Sequence, residues 1–192
     1  MATIINSVAF ENFYNYYGSY DHNEYKFKLG VNIVNADNNM GKSKFYNGFM
    51  WLFRDQVYDS DIKAFTDANE SLVRMASGKA KAEDNKFKVG FRVIFSNDNI
   101  VYTVEKYALF KHTDGELGHS ESQLSIMETK NNADNPILDR SEQQDILNRV
   151  FIPLALRNYA LLQGESMDRL VDLSQKKALS DTIDTLAGIS VL

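Results

Sequence analysis

The sequence contains no cysteine, two prolines and three histidines among its 192 residues. Without cysteine these residues form neither disulfides nor thiolate metal sites, which is typical of a cytoplasmic protein. No run of about 18 apolar residues is present, so the sequence predicts no membrane-spanning helix. The N-terminus lacks a basic region followed by an apolar core, and it therefore predicts no signal peptide.

The charge balance is acidic, with a net charge of −5, which argues against a surface covered in nucleic-acid-binding charge. Apolar residues make up 44% and charged residues 24%, as in an ordinary globular chain. We expect one domain over residues 1–192. Its lysine-rich stretch, which contains Lys79, Lys81, Lys86 and Lys88, is more typical of a solvated loop and strand edge than of a DNA site.

The three histidines lie in turn-like or polar segments. His22, His112 and His119 have neither the spacing of metal ligands nor a serine or cysteine nucleophile arranged around them. We expect His112 and His119 to be solvated loop residues.

The most informative stretch is residues 36–43, which read Ala-Asp-Asn-Asn-Met-Gly-Lys-Ser. An apolar run at residues 31–34 predicts a strand before it, and residues 42–56 predict an amphipathic helix after it. Strand, glycine-containing turn, Lys-Ser and helix follow one another in this order in a phosphate-binding loop. In such a loop Lys42 reaches the β- and γ-phosphates, and the Ser43 hydroxyl is a Mg²⁺ ligand.

A simpler interpretation of the same stretch is a solvated, asparagine-rich turn that caps the helix. In that case Ser43 or Asn39 would be the N-cap residue. The departures from the strict motif, which begins with glycine, are Ala36, Asn39 and Met40.

The remaining patterns predict strands beside a few helices. Residues 86–96 alternate, with Phe87, Val89, Phe91, Val93 and Phe95 on one face. A turn at 96–99 then favours a hairpin with residues 100–110. Further predicted strands are residues 4–10, 25–29, 122–129 and 154–162, and further predicted helices are 141–150 and a segment from 168 onward. The sequence therefore predicts a mixed α/β (α+β) fold with an antiparallel meander beside a strand–helix unit.

A second motif lies at residues 161–165, which read Leu-Leu-Gln-Gly-Glu. Taken alone, Gln163 is more typical of a residue that closes the turn at Gly164. Because it ends an apolar segment far downstream of Lys42, it also stands where a second magnesium-site residue would be expected.

With both motifs, the chain resembles the N-terminal lobe of an ATP-binding-cassette head of the SMC type (structural maintenance of chromosomes), closest to the SbcC-like and DndD-like ATPases. Residues 8–13 look like the strand and Asn-Phe element that opens those heads. Residues 36–43 match their phosphate loop at Asn38, Gly41, Lys42 and Ser43. Residues 87–106 look like their hairpin, and residues 162–165 like their glutamine loop. Tyr14 stands where that family often has a basic residue.

The resemblance implies a P-loop NTPase fold and a site for ATP and Mg²⁺. Lys42 would hold the β/γ-phosphates, Ser43 and Gln163 would complete the metal shell, and Gln163 would sense the γ-phosphate. Lys42 and Gln163 would be the residues of this lobe that serve hydrolysis. The implied nucleotide-binding set is Asn38, Asn39, Met40, Gly41, Lys42, Ser43 and Lys44.

The family's second half is expected from elsewhere, because the signature Leu-Ser-Gly-Gly and an apolar strand ending in Asp-Glu are absent from these residues. The resemblance implies that residues 168–192 lead toward a coiled-coil neck. It also implies partners: a C-terminal lobe of the same protein, a second head in a homodimer, DNA, and a nuclease or accessory subunit. Alone, the lobe would hydrolyse ATP negligibly.

Two other functions stay open at this stage. One is a nucleotide-dependent interaction module of the same fold that binds ATP without hydrolysing it, which the altered loop residues favour. The other is an unrelated phosphate-loop kinase or GTPase. That class requires a base-specificity motif such as Asn-Lys-Xaa-Asp, and the nearest stretch, residues 130–134, has the wrong spacing.

Overall fold

The computed structural model describes residues 3–35 and 41–151. The chain divides into two compact units, Met1–Gln143 and Gln144–Leu192. The strands in the described residues are β1 (Ile4–Glu11), β2 (Glu24–Lys26), β3 (Gln56–Asp59), β4 (Ala64–Asp67), β5 (Lys86–Asn97), β6 (Ile100–Thr113), β7 (Glu116–His119), β8 (Gln123–Lys130) and β9 (Ala133–Ile137). The α-helices there are α1 (Lys42–Arg54), α2 (Leu72–Met75), α3 (Gly78–Glu83) and α4 (Arg140–Asp145).

A large antiparallel sheet dominates the first unit. Its strand order is β2-β1-β5-β6-β8-β9, with β7 paired to the far end of β6, while β3 and β4 form a separate hairpin. The β5–β6 pairing runs from Lys86 opposite Lys111 to Asn97 opposite Ile100. The predicted hairpin is confirmed, and so is the third antiparallel strand, which is β8 on β6. The fold class is therefore mixed α/β with few helices in the described residues.

One face of this sheet forms the core beneath helix α1. The predicted alternation on β5 is confirmed, since its five apolar positions from Phe87 to Phe95 are all buried. The Phe49 ring of α1 lies 5.1 Å from the Phe91 ring, centroid to centroid, with their planes at 72°. Each large apolar side chain removed from water in this way contributes about 1.5–3 kcal/mol. The helix is therefore held by packing against the sheet.

An ion pair between the buried Lys106 and the exposed Asp55 fixes the C-terminal end of α1. Lys106 lies on the core face of β6, and its Nζ is 2.6 Å from the Asp55 carboxylate. Asp55 follows the helix in the left-handed conformation, at φ 52°, and its N–H donates to the Trp51 carbonyl at 3.2 Å. A cation near a helix C-terminus is also favoured by the helix dipole.

The strand predicted before the phosphate loop is wrong. Residues 31–34 are irregular, and no strand in the described part of the chain pairs with them. The Asn32 side chain closes a local loop instead, because it accepts from the Lys28 N–H at 3.0 Å and donates to the Lys28 carbonyl at 2.7 Å. The strand predicted over residues 25–29 is shorter, ending at Lys26, and Leu29 is exposed.

The helix predicted over residues 141–150 is present as α4, followed by a π-helical turn, Ile146–Phe151. The strand predicted at 154–162, the glutamine loop and the segment leading to the neck lie outside the described residues. No helix in the described residues has both the length and the apolar character needed to cross a membrane.

Candidate functional site

The N-terminus of α1 carries the described part of the predicted site. Gly41 precedes the helix as its N-cap residue, with φ 99° and ψ 9°, and it is buried. Lys42 and Ser43 occupy the first turn and are exposed to solvent. Asn38, Asn39 and Met40 lie outside the described residues, as does Gln163.

The structure shows that the N-cap residue of α1 is Gly41, and not Ser43 or Asn39 as in the interpretation of a solvated capping turn. Ser43 is inside the helix, and Asn39 is two residues before the cap, so neither is the N-cap residue. The left-handed backbone at Gly41 explains the choice, because glycine adopts positive φ without steric cost. The helix thus begins at Lys42, as the sequence pattern predicted.

Tyr16 contacts this cap from the loop after β1. Its hydroxyl donates to the Gly41 carbonyl at 3.3 Å, and the Phe45 N–H donates to the same carbonyl at 2.9 Å. The Tyr16 ring stacks on Phe10, with centroids 4.2 Å apart and planes at 10°. The same ring meets Tyr25 edge-on at 6.2 Å. The side chain is therefore fixed by two aromatic neighbours.

Tyr14 lies beside the first turn of α1 through Lys44. The Lys44 Nζ is 4.4 Å from the centroid of the Tyr14 ring, a cation–π contact. The Tyr14 hydroxyl accepts from Asn47 Nδ2 at 3.4 Å. Tyr14 itself has positive φ, 49°, in the tight turn after Phe13. Lys44 was predicted to bind nucleotide, and the structure places its ammonium group on this ring.

Asn12, the first residue of the Asn-Phe element, anchors the loop that follows β1. The residue is buried at φ 46°, and its side chain accepts from the Gly18 N–H at 2.9 Å and donates to the Lys88 carbonyl at 3.1 Å. Its backbone carbonyl accepts from the Ser77 N–H at 2.8 Å. Asn12 thus joins the loop that carries Tyr14 and Tyr16 to β5 and to the start of α3.

A polar cavity of about 200 Å³ lies between Tyr14, Lys44 and β3. Arg74 reaches across it to ion-pair with Asp59, and its other terminal nitrogen is 3.4 Å from Asp61 Oδ2. The Asp61 N–H donates to the Asp59 carboxylate at 2.8 Å, and with Arg74 it holds the pKa of Asp59 below its usual range. These opposite charges satisfy one another and join β3 to α2.

Three of the four lysines in the lysine-rich stretch make contacts with other residues of the same chain. Lys88 Nζ lies 3.1 Å from a Glu11 carboxylate oxygen and 3.6 Å from one of Glu105. Lys81 donates to a backbone carbonyl at 3.1 Å, and Lys79 lies 4.6 Å from the centroid of an aromatic ring. The loop predicted for this run was wrong, because Lys79 and Lys81 lie in helix α3, while Lys86 and Lys88 lie at the start of β5.

The histidines do not assemble a site either. Within residues 3–35 and 41–151, no group of three or more His, Cys, Asp or Glu side chains could hold a metal ion. His112 and His119 lie in strands β6 and β7, so their placement in loops was wrong. His112 is part-buried, and its Nε2 lies 3.0 Å from the Lys81 carbonyl, so its ring contacts α3 and is not free in solvent.

Burial raises the pKa of Tyr14 and Tyr16 beside this site, and of Tyr20, which packs on Lys88 and Arg92 of β5. For Tyr14 the pKa rises to about 12, mainly by burial, with the nearby Asp59 adding to the effect. For Tyr16 burial and the adjacent Tyr25 hydroxyl raise the pKa, and for Tyr20 burial and neighbouring carboxylates do so. All three side chains therefore stay neutral in the folded chain across the ordinary pH range.

We expect these tyrosines to make the fold sensitive to alkali. Below pH 10 they are protonated in both folded and unfolded chains, so they leave the free energy of unfolding unchanged. Above about pH 10 the unfolded chain releases protons that the folded chain retains, so stability falls by about 1.4 kcal/mol per pH unit for each such tyrosine. Urea titrations at increasing pH, with phenolate absorbance, measure this; ionisation of all tyrosines together near pH 10 would contradict it.

Sequence patterns did not reveal the contacts of Tyr16 and of the Asp59–Arg74 pair. Both join segments that are distant along the chain, and neither follows a helix or strand period. The one sequence feature that indicated a special role here was the tyrosine-rich stretch at 14–17. It stands where the SMC-like family, which the chain resembles, often has a basic residue.

No protein-family model matches this chain, and the comparison with curated proteins found no match.

Proposed function

We propose that the chain is the ATP-binding lobe of an SMC-like ATPase. One observation carries the proposal: a helix of 13 residues begins immediately after a left-handed Gly41 and exposes Lys42 and Ser43 in its first turn. The amides of a first helical turn lack acceptors within the helix, and the helix dipole favours an anion there. A lysine and a hydroxyl at this place are the groups that a nucleotide triphosphate with Mg²⁺ requires.

The described residues fit such a ligand by their chemistry. The Lys42 ammonium would contact the phosphate oxygens, and the Ser43 hydroxyl would be a hard oxygen ligand for Mg²⁺. Bound Mg²⁺ would offset phosphate charge. Gln163 and Asn38 enter the proposed site through the family resemblance alone.

A completing lobe is part of the proposal, and an exposed apolar segment supports it. Leu29 is 82% exposed, Val31 94% and Ile33 85%, immediately before the proposed loop. Several exposed large apolar side chains close together along the chain are typical of an interaction surface. We further propose, on the resemblance, that ATP joins two heads in a homodimer, with DNA and a nuclease or accessory subunit as partners, and that the protein acts in the cytoplasm.

A second candidate is the interaction module that binds ATP without hydrolysing it. Asn39 and Met40 favour it, because both replace small residues next to the phosphates. Steady-state ATP turnover by the complete protein, with and without DNA, separates the two functions: measurable turnover supports the ATPase, and binding without turnover supports the module.

Replacing Lys42 with alanine is expected to weaken ATP binding by about 10- to 150-fold, because a charge-assisted contact to phosphate contributes roughly 1.5–3 kcal/mol. Isothermal titration of the chain with ATP and Mg²⁺ measures the effect. A matched control is Lys130→Ala, since Lys130 is exposed at the end of β8, and its ATP affinity should equal that of the wild type.

The same variants test the dimer in complete heads. ATP should cause wild-type heads to associate in light scattering, and Lys42→Ala should abolish this association while thermal stability stays unchanged. Equal ATP binding by the wild type and Lys42→Ala would overturn the proposal.

A further inference from the structure

The peptide unit between Gly41 and Lys42 is held from one side by a tyrosine. Its carbonyl oxygen accepts two hydrogen bonds, from the Tyr16 hydroxyl at 3.3 Å and from the Phe45 N–H at 2.9 Å. A peptide unit is planar and trans, so its carbonyl and its N–H point in opposite directions. Fixing the Gly41 carbonyl therefore aims the Lys42 N–H out of the helix N-terminus, where the ATP phosphates are proposed to bind.

The hydroxyl that does this has little freedom. The Tyr16 ring lies flat on Phe10, which is fully buried, and the backbone of the turn is closed by reciprocal hydrogen bonds between Phe13 and Tyr16 at 3.0 and 2.9 Å. A Cβ atom at Gly41 would lie 3.1 Å from the Tyr16 hydroxyl oxygen. The Tyr16 ring and the glycine thus fit together closely, and a side chain at position 41 would crowd the hydroxyl.

We propose that Tyr16 is a positioning residue for the phosphate-binding turn, which it orients through the Gly41–Lys42 peptide. The inference rests on the proposed ATP site and names the residue that prepares it before ligand arrives. Because the oriented amide meets an anion without reorganisation, part of the ATP affinity depends on a side chain that does not touch ATP. Burial keeps this hydroxyl protonated, so the contact persists across the ordinary pH range.

The test compares two hydroxyl deletions made one residue apart. Tyr16→Phe keeps the ring and its stacking on Phe10 and removes the hydroxyl, which contacts the Gly41 carbonyl and the neighbouring Tyr25 hydroxyl. Tyr17→Phe is the matched control, since its ring packs against the Lys79 ammonium group rather than α1. We expect Tyr16→Phe to raise the Kd for ATP by about 3- to 10-fold, the value of one hydrogen bond, and Tyr17→Phe to change it less than 2-fold.

A second measurement needs no nucleotide. In the ligand-free chain, Tyr16→Phe should shift the Lys42 and Ser43 amide resonances and speed hydrogen exchange of the Phe45 amide, which donates to the same carbonyl. The melting temperature should fall by no more than about a few degrees, the value of one hydrogen bond. Unchanged amides, or equal ATP affinities for the two variants, would overturn the inference. Wild-type protein that does not bind ATP would overturn the proposed function instead, and the amide measurement would then decide the role of Tyr16 by itself.

Discussion

Replacing Trp51 with alanine is expected to cost about 4 kcal/mol of the free energy of unfolding, within the range for deleting a buried aromatic side chain. Trp51 is fully buried on the sheet-facing side of α1. Its ring lies parallel to Phe13, with centroids 5.8 Å apart and planes at 4°. Its Nε1–H donates to the Ser122 hydroxyl at 3.0 Å. Deleting it leaves a cavity under the helix that carries Lys42.

Two further variants divide this cost between packing and hydrogen bonding. Ser122→Ala removes only the indole's acceptor and should cost about 1 kcal/mol, while Trp51→Phe keeps most of the packing and should fall between the other two. Urea unfolding followed by circular dichroism is the measurement, because Trp51 is the single tryptophan and its fluorescence is lost with it. A loss below about 1.5 kcal/mol for Trp51→Ala would show that the helix is held elsewhere.

The elements that could be predicted from the sequence are those with one buried face. The alternation along β5 and the helical spacing of α1 predicted their type because burial imposes a period of 2 or of 3.6 residues. The hairpin turn after Asn97 followed from local turn chemistry. Each of these signals is contained within a dozen or so neighbouring residues.

The parts that could not be predicted depend on distant partners. Residues 31–34 have the composition of a buried strand, but a strand forms only where another strand offers hydrogen bonds, and composition does not contain that information. The contact between Tyr16 and Gly41 spans 25 residues, and the Lys106–Asp55 ion pair joins β6 to the end of α1. In the candidate site, the motif predicted the start of the helix, but not the side chain that holds its first peptide.

Helix α1 joins these observations, because its two ends are fixed by different means. At its start, the Gly41 cap is held by Tyr16, and at its end Asp55 is held by Lys106. Between them the helix must approach the sheet closely. Gly48 permits that approach, although a glycine inside a helix costs about 1 kcal/mol relative to alanine. A glycine at this position is therefore explained by the lack of room for a side chain between α1 and the Phe91 ring.

Replacing Gly48 with valine is expected to destabilise the chain by about 3 kcal/mol, near the upper end for overpacked cores. A Cβ atom at Gly48 would lie 2.5 Å from the Phe91 ring, closer than real contacts allow. Phe91 cannot move aside easily, since it is fully buried with the Phe10 ring 5.3 Å away, centroid to centroid. The helix must therefore lift from the sheet, which moves the first turn and lowers ATP affinity as well.

The matched control is Gly78→Ala, at the first residue of α3, where a Cβ would meet nothing within 4 Å. Alanine there should keep or raise the melting temperature, because it limits the unfolded chain without a clash. Differential scanning calorimetry and ATP titration of both variants, well below their melting temperatures, give the comparison. If Gly48→Val melts like the wild type, α1 does not lie as close to Phe91 as the structure has it. If it melts earlier but binds ATP normally, the first turn is positioned by the Gly41 cap alone, independently of the packing beneath the middle of the helix.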